Sequence, residues 1–385
     1  MKSRKVSLRE IGSAKARRIF LEKELKIELP QISQFNFDEQ EVTGRNVENL
    51  IGATQVPLAV AGPITIHSAL RTMHSYIPLA TTEGALTASI SRGCKAISLS
   101  GGADILIENV GITRGPVFKT KSITHSKKTK DFIEKNLSKL NTVAQKTSSH
   151  LRLTKADTTI IANNLFVRFY FDTKDAMGMN MATFATDEII KVIEAKTGAK
   201  CLSIAGNFDI DKKPAWLNFI SGRGKRAWAQ VTIKKDILSS ILKITPEKLA
   251  EVVRVKCQLG SIASGSIGFN AHYANIIAAI FTACGQDIAH TVEGSLGVTT
   301  AEVDEKGDLV FSVYLPSLVI GSVGGGTHLP TQKEALSVMG IAGQGDVLKF
   351  AEVVAATVLA GELSLLASLA QGTLATAHKK LGRKS

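Results

Sequence analysis

Ile11, Ala14, Ile19 and Leu21 alternate with charged residues near the start of the chain, and that spacing predicts a helix up to about residue 30, closed by Pro30. Val56-Pro57 to Ile66 reads as strand with a Gly62-Pro63 turn, and Glu83 to Ile97 as a helix capped by Thr81-Thr82. The runs Thr158–Ile161 and Leu165–Phe171 predict two strands around an Asn163-Asn164 turn. Met179 to Thr197 then predicts a helix that stops at Gly198. The second half is strongly helical. One helix is expected from about Ser264 to Ala283, ending at Gly285, and another from Asp346, as its cap, through Leu369. Gly361 interrupts the latter at some cost in helix propensity. Both runs are apolar nearly all round, which places them in the core or at a subunit interface.

A chain of 385 residues with 44% hydrophobic content suits two or three domains with ample buried core. No repeat of fixed period is visible. The formal charge of +13 is concentrated near the N-terminus and between Lys119 and Lys139. Nucleic-acid binding would explain such runs, but they lack interleaved aromatics, which make up only 5% of the chain. Phosphate-rich small ligands would gain equally from a positive field. Cys94, Cys201, Cys257 and Cys284 form no CxxC pair and no disulfide framework, and no His/Cys spacing suggests a metal. They suit a reducing cytosol. The first residues are charged and no apolar signal segment follows them. The apolar stretch Ile267–Cys284 contains Asn270, His272 and Asn275, so it reads as buried helix and not as a bilayer span. A soluble, cytoplasmic protein with no membrane or nucleic-acid partner is expected.

The most informative stretch is Gly206-Asn207-Phe208-Asp209-Ile210-Asp211-Lys212-Lys213-Pro214. A lysine held rigidly in such a turn can stabilise negative charge developing on an oxygen. Five further blocks keep it company: Glu48-Asn49-Leu50-Ile51-Gly52, Ala80-Thr81-Thr82-Glu83-Gly84-Ala85-Leu86, Asp175-Ala176-Met177-Gly178-Met179-Asn180, Gly285-Gln286-Asp287 and Ala377-His378-Lys379-Lys380. Together, and in this order, they resemble the 3-hydroxy-3-methylglutaryl-CoA (HMG-CoA) reductase family in its soluble form, from about residue 40 onward.

The resemblance implies a role for each block. Lys212 matches the oxyanion-stabilising lysine, Glu83 the proton donor, Asp287 the aspartate between them, and His378 the histidine that protonates the departing thiolate. A glutamate that donates near neutral pH needs its proton affinity raised by burial or by a neighbouring carboxylate. Arg114, Asp211, Lys213, Lys256, His272 and Asn275 match substrate-binding positions, where a terminal carboxylate calls for cations. Ser89, Arg92 and Lys95 fall in the coenzyme A contact region. No GxGxxG follows a strand, so an ordinary Rossmann site is excluded. Asp175, Met177, Gly178, Met179 and Asn180, with Gly324, Gly325 and Gly326, resemble the family's dinucleotide contacts instead. Where NADPH-using relatives often carry an arginine for the 2′-phosphate, this chain has Ser149 and His150. NADPH is the expected cofactor, with NADH as the alternative.

The implied architecture is α+β. Residues 1–40 form a helical N-terminal segment, and residues 41–116 with 205–385 a large helical substrate and dimerisation domain. A small ferredoxin-like α+β cofactor domain, 117–204, is inserted between. A homodimer or higher homo-oligomer is expected with its active site between subunits, Glu83 and Lys212 from one chain and Asp287 from its neighbour. The expected activity is reduction of HMG-CoA to mevalonate and coenzyme A. A non-catalytic acyl-CoA-binding relative, and an NAD-dependent enzyme oxidising mevalonate, are the competing readings.

Overall fold

The computed structural model describes residues 7–372 and shows a mixed α/β protein. Its sheet has 11 strands. The strand Ala103–Arg114 is the member shared by both ends of that sheet. Its first half pairs in parallel with Leu58–Ser68 and antiparallel with Gly224–Ile233, while its last residues pair antiparallel with Asn164–Asp172. The register shifts between Asn109 and Gly111. Gly111 has φ 93°, and a Cβ there would lie 2.7 Å from the carbonyl oxygen of Phe171. Only glycine fits the bend.

Two apolar cores lie on either side of this bend. The larger surrounds the helix Val347–Ala370 and takes in Leu86–Leu99, Tyr273–Ala283 and the strands on that side. The smaller gathers Phe118, Ile133, Leu140, Phe169 and Ile189, from strands Val117–Lys119 and Asn164–Asp172 and helices Ile123–Lys135, Leu137–Gln145 and Met179–Thr197. A minor cluster of Ala14, Val42 and Leu50 ties the N-terminal segment down.

Among the described residues, Val347–Ala370 is the one helix long and apolar enough to cross a membrane, but 83% of its apolar window is buried inside the protein. It is the core helix. Its apolar circumference is explained by neighbours on every side, because its backbone approaches two other helices closely. A Cβ on Gly93 would lie 1.9 Å from the oxygen of Ala360, and one on Gly361 would lie 2.4 Å from Ile276 Cδ1. The propensity lost at Gly361 is therefore exchanged for packing.

Several boundaries differ from those the sequence suggests. The N-terminal helix spans only Ala14–Leu25, started by Ser13 and ended by Lys26 in a left-handed conformation. Gly62-Pro63 lies inside the strand Leu58–Ser68, as an irregularity in its pairing and not as a turn. The helix expected from Ser264 is broken. A π-helical stretch Val253–Gly260 and a short turn Ser261–Ser264 end at left-handed Gly265, and the next helix begins only at Tyr273. Met179–Thr197 and its Gly198 stop are as expected.

Candidate active site

The loop carrying Lys212 is held in a strained shape. Ile210 and Lys212 both take left-handed backbone angles, φ 51° and 57°, conformations that cost about 1–3 kcal/mol each and persist only when surroundings enforce them. Here the enforcement is visible. The backbone N–H of Lys212 donates to Glu293 Oε1 at 2.7 Å, and its Nζ meets Asp287 Oδ2 at 2.7 Å. Asp287 opens the 3-10 turn Ile288–His290, its Oδ1 accepting from the N–H of Ala289. Burial pushes the Asp287 carboxyl upward, but the hydrogen bond from Lys212 and the charges of His290 and Lys212 outweigh it and hold the group below the usual carboxylate range.

Lys212 and Asp287 face a cleft of about 810 Å³, a volume suited to a cofactor-sized ligand. Its other walls are the two glycine-bearing segments. Met177, Gly178, Met179 and Asn180 meet Gly324, Gly325 and Gly326 across it, joined by a bridge between Ala176 and Val323. Gly178 is the left-handed cap of Met179–Thr197, so the helix N-terminus with its free N–H groups faces the cleft, a disposition that favours phosphate. A Cβ on Gly324 or Gly325 would meet nothing within 4 Å. The backbone there stands open to a ligand.

Asp175 plays a different part. Its Oδ1 lies 3.3 Å from the N–H of Val347 and caps the long helix, while the expected cap, Asp346, accepts from the N–H of Ala342 instead. Ser149 and His150 are exposed in the loop between Leu137–Gln145 and Arg152–Ile161, outside the walls of the cleft.

The remaining residues expected to bind substrate divide into groups. Arg114 lines the cleft but is paired with buried Asp209 at 3.4 Å. Asp211 is held by Arg223 at 2.9 Å, and Lys213 Nζ bonds the oxygen of Asp211. Glu83 is exposed and precedes the helix. That helix starts at Leu86 after left-handed Ala85, and the Thr81 hydroxyl accepts from the N–H of Glu83 and caps no helix. Of burial and a neighbouring carboxylate, the two expected routes to a raised proton affinity, burial of Glu83 is absent in the single chain. Its Oε2 accepts from Asn275 Nδ2 at 2.7 Å.

Asn275 and His272 stand at the start of Tyr273–Ala283. The buried Glu362 accepts from the backbone N–H groups of Ala271 and His272, and from the Thr299 hydroxyl. Asp287 follows the other end of the same helix, which rises roughly 12 Å from Asn275 to Ala283. Glu83 and Asp287 of one chain thus stand at opposite ends of one helix. The expected division, with Asp287 supplied by the neighbour of the chain that carries Lys212, is corrected: Lys212 and Asp287 pair within one chain.

Ser89 and Arg92 bind Ser364, and Arg92 also reaches Ser368, both on the last turns of the long helix. Burial lowers the proton affinity of the Arg92 guanidinium. Lys95 and Lys256 are exposed and take no part in the cleft. His378 lies outside the described residues.

Three residues that the sequence reading missed stand behind Lys212. Arg223, His290 and Glu293 have fully buried side chains, and Arg223 donates to Glu293 at 2.7 Å and forms an ion pair with Asp211 at 2.9 Å. The spacing Asp287–His290–Glu293, every third residue through two consecutive helical turns, was the available signal.

The family model for hydroxymethylglutaryl-coenzyme A reductase matches residues 13–383, nearly the whole chain. The chain belongs to that family. The HMG-CoA reductase of Methanocaldococcus jannaschii is 49% identical over 95% of this chain and 92% of its own length, and that of Methanothermobacter thermautotrophicus 46% identical over 96% and 94%. Among solved structures, the class II HMG-CoA reductase from Streptococcus pneumoniae bound to NADPH superposes with a TM-score of 0.69 at 18% identity, covering 94% of this chain and 100% of that one. The last match speaks for the fold. Membership in the reductase family makes the protein an oxidoreductase.

Proposed function

We propose that this protein reduces HMG-CoA to mevalonate and free coenzyme A by two successive hydride transfers from NADPH. The observation that carries the reading is the presence of the Lys212–Asp287 pair in the same cleft as the two glycine-bearing segments. A fixed cation and a dinucleotide cradle then face one reacting carbonyl. When bound, NADPH supplies the hydride. The chain's residues do the rest. Lys212 holds the carbonyl oxygen where negative charge grows, and Asp287 keeps the ammonium aimed at it. The N-terminus of Met179–Thr197 and the open backbone at Gly324 and Gly325 receive phosphate and nucleotide.

Glu83, oriented by Asn275, serves as proton donor, and His378 protonates the leaving thiolate. Because Glu83 and Asp287 stand at opposite ends of one helix, the complete site takes Lys212 and Asp287 from one protomer and Glu83 with Asn275 from its partner, in a homodimer or an assembly of dimers. Contact with the partner also supplies the burial that Glu83 lacks alone. The small core forms the cofactor domain, residues 117–204, inserted in the larger substrate domain. Arg114, Lys213, Lys256 and His272 receive the hydroxymethylglutaryl portion, and Ser89, Arg92 and Lys95 the coenzyme. The four free cysteines suit work in the cytoplasm.

The test is loss of the reduced-nicotinamide absorbance with purified protein and HMG-CoA, run with NADPH and NADH in parallel. Consumption of two cofactors per mevalonate supports the reading, and the faster cofactor assigns the preference. No oxidation with either, in a folded oligomer, supports a non-catalytic acyl-CoA binder instead.

A further inference from the structure

We propose that His290 is a positioning residue for Lys212: its imidazole, wedged between Asp211 and Asp287, fixes the Asp287 carboxylate against the Lys212 ammonium. The inference rests on the reductase reading above and adds to it a residue behind the site.

The geometry is that of a closed ring of charges. Going inward from the cleft, Lys212 Nζ meets Asp287 Oδ2 at 2.7 Å, and Asp287 Oδ2 lies 3.8 Å from His290 Nε2. His290 Nδ1 lies 3.3 Å from Glu293 Oε2. Glu293 Oε1 accepts from Arg223 and from the backbone N–H of Lys212, both at 2.7 Å. Arg223 returns to Asp211 at 2.9 Å, and Asp211 Oδ1 lies 3.9 Å from His290 Nε2. The charged groups facing His290 are therefore Asp287 and Glu293 on its own turn and Asp211 from the Lys212 loop. Arg223, from the segment before Gly224–Ile233, and Lys212 complete the ring.

Two features bear on His290 within it. Its side chain is fully buried, yet its Nε2 has no hydrogen-bond partner and is suspended at nearly equal distance from two carboxylates. A buried polar nitrogen left without a partner is costly, so its retention calls for a role. The second feature is charge balance. Asp211, Asp287 and Glu293 set three negative charges against the two positive charges of Lys212 and Arg223. The imidazole stands among all three carboxylates of that unbalanced set.

A divalent metal is a poorer reading of the same cluster. Asp211, His290 and Glu293 place ligand atoms within 4.8 Å of one another, but Arg223 already pairs with both carboxylates, donating to Glu293 and lying 2.9 Å from Asp211, and fills the cationic place. Acting through Asp287, His290 steers the ammonium without touching substrate. Because the Asp287 carboxyl is held low partly by the charge of His290, removing that charge must raise it.

The test is His290→Gln, which keeps a hydrogen-bonding side chain but does not titrate. A carboxyl NMR titration of Asp287, assigned with Asp287→Asn, reads the effect without turnover. Its midpoint should rise by about half a pH unit or more in the variant. In the active enzyme, the acid limb of kcat/KM should move upward by a similar amount, with KM for NADPH little changed. An Asp287 midpoint that stays in place, or a pH profile merely scaled down without displacement, overturns the proposal. If His290→Gln does not fold, His290→Asn carries the same comparison. A parent protein without turnover would sink the reductase reading, while the NMR titration would still decide the role of His290.

Discussion

The ammonium of Lys212 and the carboxylate of Asp287 form a 2.7 Å ion pair at the wall of the cleft, joining a strained loop to a 3-10 turn. Both side chains remain more than a third exposed, so the pair is a weak source of stability and its value lies in aim. Lys212→Ala should fold with an unchanged melting profile and lose about 10²-fold to 10³-fold in kcat, the scale of losing one oxyanion donor. Retention of more than about a tenth of the parent rate would remove Lys212 from its assigned role.

The lowered proton affinity of Asp287 fixes the sign of an acid limb. The contribution of the ionised carboxylate is fully present above its ordinary, unfolded-state value, and it is lost as pH falls through the depressed folded value. Activity should therefore hold through the mildly acidic range and fail only below the usual carboxylate range. Asp287→Asn should abolish that limb along with most of the rate. A pH–rate profile of kcat with the same acid limb in the variant would contradict the assignment.

Glu362 should matter for stability more than any residue in the cleft. It is fully buried and satisfies two backbone N–H groups and the Thr299 hydroxyl. Glu362→Ala orphans all three donors at about 1–3 kcal/mol each, so thermal unfolding should show a loss of about 3 kcal/mol or more. Glu362→Gln, which keeps one acceptor oxygen, should lose less. Equal melting temperatures for the parent and the alanine variant would refute this account.

Subunit sharing of the site has a direct assay. Lys212→Ala and Glu83→Gln should each be inactive alone. Unfolded and refolded together, they should recover about a quarter of parental activity, because half of the dimers are mixed and each mixed dimer carries one intact site. No recovery in a verified mixed dimer would place the whole site in one chain.

Residues that line the cleft were more legible in the sequence than the course of the backbone. Lys212, Asp287 and the two glycine-bearing segments were legible because their chemistry is written in short consecutive runs, and the fold brings them to one cleft. Met179–Thr197 was legible because Gly178 and Gly198 bracket it. The break at Gly265 was not, since helical composition continues on both sides and only the left-handed turn reveals it. Asp346 looked like a cap because its own position was right, whereas the residue that caps the helix is remote Asp175. Arg223 was invisible for a similar reason: its partners, Asp211 and Glu293, lie on segments that only tertiary structure brings together.

The strand Ala103–Arg114 belongs to both cores, and its bend at Gly111 lies between them. A side chain at Gly111 would press on the Phe171 backbone, so the single bend that joins the two cores depends on the absence of a Cβ at one position outside the cleft.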